Sequence, residues 1–281
     1  MKIRNSLVPA NLISVNLVSA IVLSLISISL RAQAVPKRTI HVFVALADNQ
    51  NQGIVPVPAG LGNGLDPIHN LYWGAAAGVK TFFARSPDWA LLNCRGEGNA
   101  GEKDRPKPAV LERCVFKYRR AEVYLVADAY RGDEIRQAIL DFFNAAAGAS
   151  PETVALSAGS QSFTLTVRGG SDLVAYVGHD GLMDFRLPVV PKKKNEAHRD
   201  AIILACASKQ YFSDALRATG AYPLLWTTGL MAPEAYTLKS ALDGWIASES
   251  GEPVRERAAA AYDKYQKCGM RGARRLFATG W

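Results

Sequence analysis

The run Asp172-Leu-Val-Ala-Tyr-Val-Gly178 ends directly before His179, and the run Asp200-Ala-Ile-Ile-Leu-Ala205 ends directly before Cys206. Short, continuous apolar runs flanked by glycine and charge are typical of strands that are buried on both faces. In an open parallel sheet, ligands bind beyond the carboxyl ends of the strands. The two runs therefore predict that His179 and Cys206 leave the same edge of one sheet. A thiol beside an imidazole is the minimum for nucleophilic catalysis.

Each of the two residues also has a structural interpretation. A cysteine after a buried strand is usually a small core hydrophobe. A single histidine at a strand end is more often a hydrogen-bonded structural group. Their occurrence together, in the order histidine and then cysteine, favours a catalytic site over two unrelated structural residues.

The segments Val174–Gly181 and Ile202–Ser208 resemble the caspase-like cysteine peptidases, which include caspases, legumain, the gingipains, separase and the CHAT domains. Leu216–Thr228 is similar to the helix end and next strand that follow the nucleophile in that fold, so the resemblance covers about residues 122–250. It implies an α/β fold, a three-layer α/β/α sandwich with a mostly parallel sheet. It also implies a cysteine endopeptidase that acts on a peptide or protein substrate without a metal or an organic cofactor.

The resemblance makes Cys206 the nucleophile and His179 the general acid and, directly or indirectly, the base. The backbone N–H groups of Cys206 and of Asp180 or Gly181 would form the oxyanion hole. The family usually has glycine directly after the histidine, whereas this chain has Asp180 there, followed by Gly181. An aspartate keeps the backbone donor, but its carboxylate would oppose an oxyanion unless it points away.

The first 34 residues have the pattern of a secretory signal. Lys2 and Arg4 form a short basic start, residues 11–30 are apolar, and Ala32-Gln33-Ala34 fits the small-x-small cleavage rule. We expect cleavage after Ala34, which leaves one domain of residues 35–281 in a secreted or periplasmic protein. An uncleaved membrane anchor is the alternative. No later segment is apolar enough to span a bilayer, so stable membrane association is not expected after cleavage.

The charge of the chain does not indicate a nucleic-acid partner. The 281 residues carry a formal net charge of +8, and loss of Lys2, Arg4 and Arg31 with the signal would leave 8 − 3 = +5. The basic residues are mostly dispersed, with small clusters at 117–120, 192–194 and 271–275. Solvated loop charge explains these clusters better than a nucleic-acid surface. The sequence does not determine the oligomeric state.

Four cysteines allow more than one pairing in an oxidising compartment. Cys94 and Cys114 bracket a stretch rich in glycine, proline and charge. This composition predicts an inserted loop. A disulfide that closes such a loop could stabilise the fold by roughly 3 kcal/mol. We favour this pairing, which leaves Cys206 free to be a nucleophile and leaves Cys268 unexplained. A bond between Cys206 and Cys268 would abolish the catalytic interpretation, and sequence alone does not decide between the two.

The segment from Asp48 to Asp66 follows the first predicted strand, residues 40–47, and is rich in Asn, Gln, Gly and Pro. Its position places it at the carboxyl edge of the sheet, beside His179 and Cys206. It is either a structured loop or a wall that contacts the substrate. The candidate substrate-binding residues are those of this loop and of a predicted helix at 67–81: Asn63, Asn70, Tyr72 and Trp73.

The remaining pattern alternates strands and helices. Strands are predicted at 121–129 and 222–228, with a small edge strand at 162–167. Helices are predicted at 86–92, 133–147, 210–219, 232–248 and 253–267. Strand, helix and strand in succession indicate a parallel sheet.

Other chemistries lack support in the sequence. There is no Cys-x-x-Cys, no His-Glu-x-x-His and no P-loop. His41 lies inside a predicted strand, where a packed core residue is expected, and the histidines and cysteines have no zinc-site spacing, so no metal is predicted. The rival hypothesis is a catalytically inactive caspase-like binding module of the cell envelope, with residues 48–73 as its ligand surface. A third and weaker hypothesis is a structural protein of the cell envelope.

Overall fold

The fold is α/β and is built on a large mixed sheet, in a computed structural model that describes residues 36–96, 108–158 and 161–281. The predicted signal lies outside those residues. The strands are β1 (Arg38–Ala45), β2 (Trp89–Gly96), β3 (Val110–Tyr118), β4 (Val123–Tyr130), β5 (Pro151–Ala158), β6 (Gln161–Arg168), β7 (Leu173–Val177), β8 (Asp200–Leu204), β9 (Tyr222–Thr227) and β10 (Phe277–Ala278). The helices are α1 (Val79–Arg85), α2 (Ile135–Ala146), α3 (Ser208–Thr219), α4 (Ala235–Ile246), α5 (Gly251–Gln266) and α6 (Met270–Leu276).

Eight strands form the main sheet in the order β10-β9-β8-β7-β1-β4-β3-β2. The five central strands, from β9 to β4, run parallel to one another. The strands at both margins are antiparallel to their neighbours. The expectation of a mostly parallel sheet therefore holds only for the centre. β3 and β4 are joined by only the four residues 119–122, which is too short for the crossover that a parallel pair needs.

The central strands are buried on both faces. Every residue of β7 is buried, as is every residue of β1 after Arg38. Along β1 the side chains alternate: Ile40, Val42 and Val44 join a core with α1, α4 and α5, whereas Phe43 and Ala45 join a core with α2 and α3. Burial on both sides explains why these strands are continuous apolar runs in the sequence.

Several predicted elements differ from the structure. The predicted helix at 86–92 is wrong, because that segment contributes the start of β2, and Trp89 packs between Phe83 and Tyr118. The predicted helix at 67–81 is mostly a series of turns, and α1 begins only at Val79. The predicted strand at 162–167 is β6, which pairs with β5 in a separate two-stranded sheet and is not an edge of the main sheet.

Cys94 and Cys114 form the predicted disulfide. They lie opposite each other in the antiparallel strands β2 and β3, so the bond is a cross-strand link. The residues between these strands, 97–107, lie outside the described part of the chain. Cys206 and Cys268 are free thiols, so the alternative bond between them is not formed.

A buried polar network joins the small sheet to the main one. His41 is fully buried, as expected from its place in a strand, and its Nδ1 accepts the N–H of Arg168 at 3.0 Å. Its Nε2 lies 3.0 Å from an Asp128 carboxylate oxygen, so Nε2 carries the proton and donates it. Burial lowers the pKa of His41, which keeps the ring neutral in this arrangement.

Asp128 is the anion of this network. Burial by itself would raise the pKa of Asp128, but His41 and the guanidinium of Arg113 hold that pKa well below its ordinary value. Arg113 donates to both Asp128 oxygens, at 2.6 and 2.8 Å, and also to Glu152 of β5. The network therefore fixes β5 against β3 and β4 by charge-assisted hydrogen bonds.

Replacing Asp128 by Asn should strongly destabilise the protein. The change leaves the buried side of Arg113 without its anion, and breaking a buried pair in this way costs about 3–5 kcal/mol. Urea unfolding would measure the loss. The matched control is Glu122→Gln, whose ion pair with Lys117 is partly exposed and should contribute about 1 kcal/mol or less. Equal losses in the two variants would contradict this account of the network.

None of the helices in the described residues is both long enough and apolar enough to cross a membrane.

Candidate functional site

His179 and Cys206 leave the sheet at equivalent positions of two neighbouring strands. β7 and β8 are adjacent and parallel, and their last paired residues are Val177 and Leu204. The pairing continues beyond the strands, since the Gly178 N–H donates to the Leu204 carbonyl at 3.2 Å. Carried two residues past the paired ends, the same register sets His179 opposite Cys206. Neighbouring strands are about 4.8 Å apart, so the backbones of the two residues emerge close together.

The His179 ring is held by a carboxylate that the sequence did not indicate. Its Nε2 lies 2.6 Å from Asp184 Oδ2, and its backbone carbonyl accepts a hydrogen bond of 2.8 Å from the Tyr176 hydroxyl. The side chain of His179 is only 8% exposed. When Nε2 donates to Asp184, Nδ1 is the nitrogen left to accept a proton from a nucleophile. The only signal for Asp184 in the sequence is its place five residues after His179, and that spacing has no specific meaning by itself.

A glycine is required directly before the histidine. Gly178 has φ +153°, and a Cβ at this position would approach the Ala45 carbonyl oxygen to 3.0 Å. The chain turns here at the end of β7, against the neighbouring β1. A side chain at Gly178 would displace the turn that carries His179.

Cys206 lies on a tight turn between β8 and α3 and is partly exposed. The residue after it, Ala207, has a left-handed backbone with φ +47°, which is uncommon for a residue other than glycine. The Ala207 N–H donates to the Gly229 carbonyl at 2.8 Å. The N–H of Met231 donates to the Cys206 sulfur at 3.4 Å. The turn thus presents the sulfur to the loop that follows β9.

Two hydroxyl groups hold this turn in place, and neither was recognised in the sequence. The buried Thr227 hydroxyl accepts the Ser208 N–H at 3.1 Å and donates to the Ala205 carbonyl. The Ser208 hydroxyl accepts the Thr227 N–H at 3.0 Å. Backbone groups on both sides of Cys206 are therefore tied to the end of β9.

The predicted oxyanion donors differ in availability. The Gly181 N–H is already used, because it donates to the His179 carbonyl at 3.0 Å. Among the described residues, neither the Asp180 N–H nor the Cys206 N–H has a hydrogen-bond acceptor in the protein. Of the predicted set, these two donors are therefore the ones that remain free for a ligand oxygen.

The Asp180 carboxyl is turned into the protein. The residue is fully buried, and its Oδ1 accepts the Leu182 N–H at 3.0 Å. Its Oδ2 is buried and has no hydrogen-bond partner in the described part of the chain. Burial, helped by the negative charge of Asp184, raises the pKa of Asp180 to about 7. The acid is therefore largely neutral below pH 7, which removes most of the electrostatic objection to it beside an oxyanion site.

The four predicted substrate-binding residues occupy different environments. Asn70 is fully buried, and its side-chain amide bonds the Ala47 N–H, the Ala47 carbonyl and the Asn63 carbonyl, at 2.8 to 3.0 Å. Trp73 is also fully buried, and its indole N–H donates to Glu112 at 2.5 Å. In this structure both residues support the loop from within and present no surface to a ligand.

Tyr72 and Asn63 are placed differently. Burial raises the pKa of the Tyr72 hydroxyl, and the negative charges of an ionised Cys206 and of Glu234 raise it further. The hydroxyl therefore lies within the electrostatic reach of the candidate nucleophile. Asn63 is exposed on the loop. The same loop reaches the histidine side of the site, where the Gly53 N–H lies 3.4 Å from Asp184 Oδ2.

The loop at 229–234 forms a second wall beside Cys206. The Ala232 N–H donates to the Tyr262 hydroxyl at 3.1 Å, and the Tyr236 hydroxyl donates to Glu234 at 2.7 Å. Leu230 projects from this loop and is 76% exposed. The structure thus anchors the loop on α4 and α5 while leaving an apolar side chain in solvent next to the residue that contacts the Cys206 sulfur.

One cluster of side chains has the spacing of metal ligands but not their chemistry. In the described ranges, the one group with ligand spacing is Cys94, Glu112 and Cys114, and its two sulfurs are joined in the disulfide. Disulfide sulfurs are not the thiolate ligands that transition metals bind.

Comparisons with protein-family models, with curated proteins and with solved structures found no match.

Replacing Asp180 by Asn should make the protein more stable than the wild type above neutral pH. The folded-state pKa of about 7 lies above the ordinary value of 3.8, so folding favours the neutral acid. That stability is fully present below pH 3.8 and is lost as the pH rises through 7. The wild type should lose roughly 4 kcal/mol over this range through Asp180, whereas the uncharged amide should not. Chemical unfolding of both proteins from pH 4 to pH 8.5 measures the difference, and parallel stability curves would contradict the assignment.

Proposed function

We propose that this protein is a cysteine endopeptidase in which Cys206 is the nucleophile and His179 is the general acid and base. The observation that carries the proposal is the shared register of β7 and β8, which brings the two residues out of the same sheet edge at equivalent positions. A third residue, Asp184, binds the far nitrogen of the ring. The proposed nucleophile, base and orienting carboxylate correspond to the three roles in a catalytic triad.

In the proposed reaction, Nδ1 of His179 takes the proton of the Cys206 thiol and the sulfur attacks the scissile carbonyl. The carbonyl oxygen becomes an oxyanion and accepts hydrogen bonds from the free N–H groups of Cys206 and Asp180. The C–N bond then breaks, and His179 gives its proton to the leaving amine. A water molecule, deprotonated by His179, hydrolyses the thioester and restores the thiol. One oxyanion donor of this kind contributes about 3 kcal/mol to the barrier reduction in well-studied enzymes.

Within the described residues, the His179 ring and the Cys206 sulfur make their hydrogen bonds to Asp184 and Met231 and not to each other. Catalytic hydrogen bonds are often long in proteins without substrate and tighten in the Michaelis complex. Met231 contacts the sulfur twice, because its N–H donates to the sulfur at 3.4 Å and its carbonyl accepts a hydrogen bond from the thiol at 3.6 Å.

We extend the proposal to the caspase-like superfamily and its three-layer α/β/α sandwich. Three features support it: the five parallel central strands, the two apolar cores that share the side chains of β1, and the order of the His179 and Cys206 motifs. Tyr72 and Asn63 remain the proposed substrate contacts from the loop at 48–66. The alternative is a binding module with the same fold and no turnover.

The central experiment combines activity with thiol labelling. Turnover of fluorescein-labelled casein should be lost in Cys206→Ala and reduced about 10²- to 10⁴-fold in His179→Ala. Asp184→Asn should reduce it by about 10- to 100-fold, since the ring keeps its nitrogen but loses its orienting anion. Cys268→Ala is the matched control and should retain full activity, because that thiol is exposed and takes no part in the proposed chemistry.

Labelling with iodoacetamide separates the proposal from its alternative. Exposure alone makes Cys268 the faster-reacting thiol. If Cys206 is an activated nucleophile, it should be alkylated before Cys268. In His179→Ala, Cys268 should again be alkylated first. A folded wild type that turns over no peptide and alkylates Cys268 first would reject the endopeptidase and leave the binding module.

We further propose that the protein is exported and acts outside the cytoplasm. The basic start, the apolar run and Ala32-Gln33-Ala34 support this, as does a disulfide between Cys94 and Cys114. Mass spectrometry of the protein from culture medium and periplasm should find an N-terminus at Val35. A chain that starts at Met1 and sediments with membranes would indicate an uncleaved anchor.

A further inference from the structure

A groove runs away from the candidate site between the segment 182–190 and helix α3. Its volume is about 560 Å³, within the range of sites that bind small molecules or several peptide residues. Both walls begin at the proposed catalytic residues, because Asp184 contacts His179 and α3 starts two residues after Cys206. The lining combines apolar side chains, among them Leu182, Met183 and Val190, with polar ones, among them Arg186, Tyr211 and Asp214.

We propose that this groove binds the part of a peptide substrate that leaves after cleavage, and that it selects an apolar residue directly after the scissile bond. The inference rests on the proposed endopeptidase function and adds its substrate preference. His179 must deliver a proton to the leaving amine, so the leaving half of the substrate begins at this ring. Asp184, on the far side of the ring from the nitrogen that serves Cys206, is also a residue of the groove lining.

The chemistry of the lining decides the preference. Met183 and Val190 line the groove and are 43% and 39% exposed, so part of each apolar residue is open to a ligand. The charged side chains that line it, apart from the Asp184 paired with His179, are Arg186 on one wall and Asp214 on the other. One base and one acid give no net preference for a charged ligand. Burial of an apolar ligand side chain against the apolar part of the lining is then the source of the proposed preference.

The wall opposite α3 is preformed. Leu182, Phe185 and Leu187 pack against the core shared by α2 and α3. Arg136 of α2 donates to the Arg186 carbonyl at 2.7 Å, and its guanidinium lies 4.0 Å from the centre of the Phe185 ring. A wall held in this way does not have to be ordered by the ligand, so less of the binding energy is lost to ordering it.

The test is a cleavage profile on a proteome-derived peptide library, in which sequencing of the new N-termini shows the residue after each cut. Wild-type protein should yield termini enriched about tenfold in Leu, Met, Phe and Val over Asp, Glu and Lys. Gln210→Trp should erase this enrichment, because the new indole on the exposed first turn of α3 fills the groove. Glu252→Trp, at an exposed site on α5 outside the groove, is the matched control and should leave the profile unchanged.

A second measurement keeps the groove separate from the chemistry. From the library hits, one peptide is made with its natural leaving half and again with aminomethylcoumarin as a small leaving group. Gln210→Trp should lower kcat/KM for the full peptide about tenfold and leave the coumarin substrate within twofold. Equal losses on both substrates would place the defect in the catalytic residues and overturn the groove assignment. A wild-type profile with no preference after the cut would overturn it as well.

Failure of the proposed function gives a different result. If wild-type protein cleaves nothing, the fluorescein-labelled peptide Leu-Gly-Leu-Gly-Gly, which has the form of a leaving fragment, is titrated against the wild type and both Trp variants. Binding that is weakened about tenfold by Gln210→Trp alone would show a peptide groove on a protein without turnover. Equal binding by all three proteins, or none, would reject the groove itself.

Discussion

The parallel pairing of β7 with β8 is the constraint on which the candidate site depends. Side chains alternate along a strand, so a slip of one residue would move an apolar set from one core to the other. Both strands are buried on both faces, and a slip would therefore bury wrong shapes on two sides at once. Because this register is fixed by the cores, the positions of His179 and Cys206 past the strand ends are fixed relative to each other as well.

The two turns beyond the strands use different devices to hold a reactive residue. Before His179 the backbone turn requires a glycine, Gly178. The His179 ring itself is held by the carboxylate of Asp184. At Cys206 the following residue adopts a left-handed conformation, and the strain is held by the paired hydroxyls of Ser208 and Thr227. Strained backbone that is overdetermined by its surroundings is typical of functional sites.

Residues of the polar segment beside the site have two different roles, since some support the loop from inside and one lies near Cys206. Asn70 and Trp73 look like ligand contacts in the sequence because they are an amide and an aromatic group next to a long loop. In the structure, their hydrogen bonds are directed inward to Ala47 and Glu112, where they hold the loop against β1 and β3. Tyr72, from the same segment, is the one whose hydroxyl lies in the field of Cys206. Two neighbouring residues of similar type thus have different roles, set by the direction in which each side chain faces.

The sequence by itself determined the α/β class, the central strands, and the placing of His179 and Cys206 at strand ends, whereas the choice of Cys94 and Cys114 as the disulfide pair was made by the structure. These follow from local patterns: continuous apolar runs, helical periodicity and flanking glycine. Only the tertiary structure decided the strand order, the antiparallel margins and the β-strand at 89–96, because sheet pairing depends on contacts between distant segments. It also decided the ring partner of His179, the inward orientation of Asp180 and the groove along α3. Those features depend on where side chains meet after packing, which no spacing along the chain encodes.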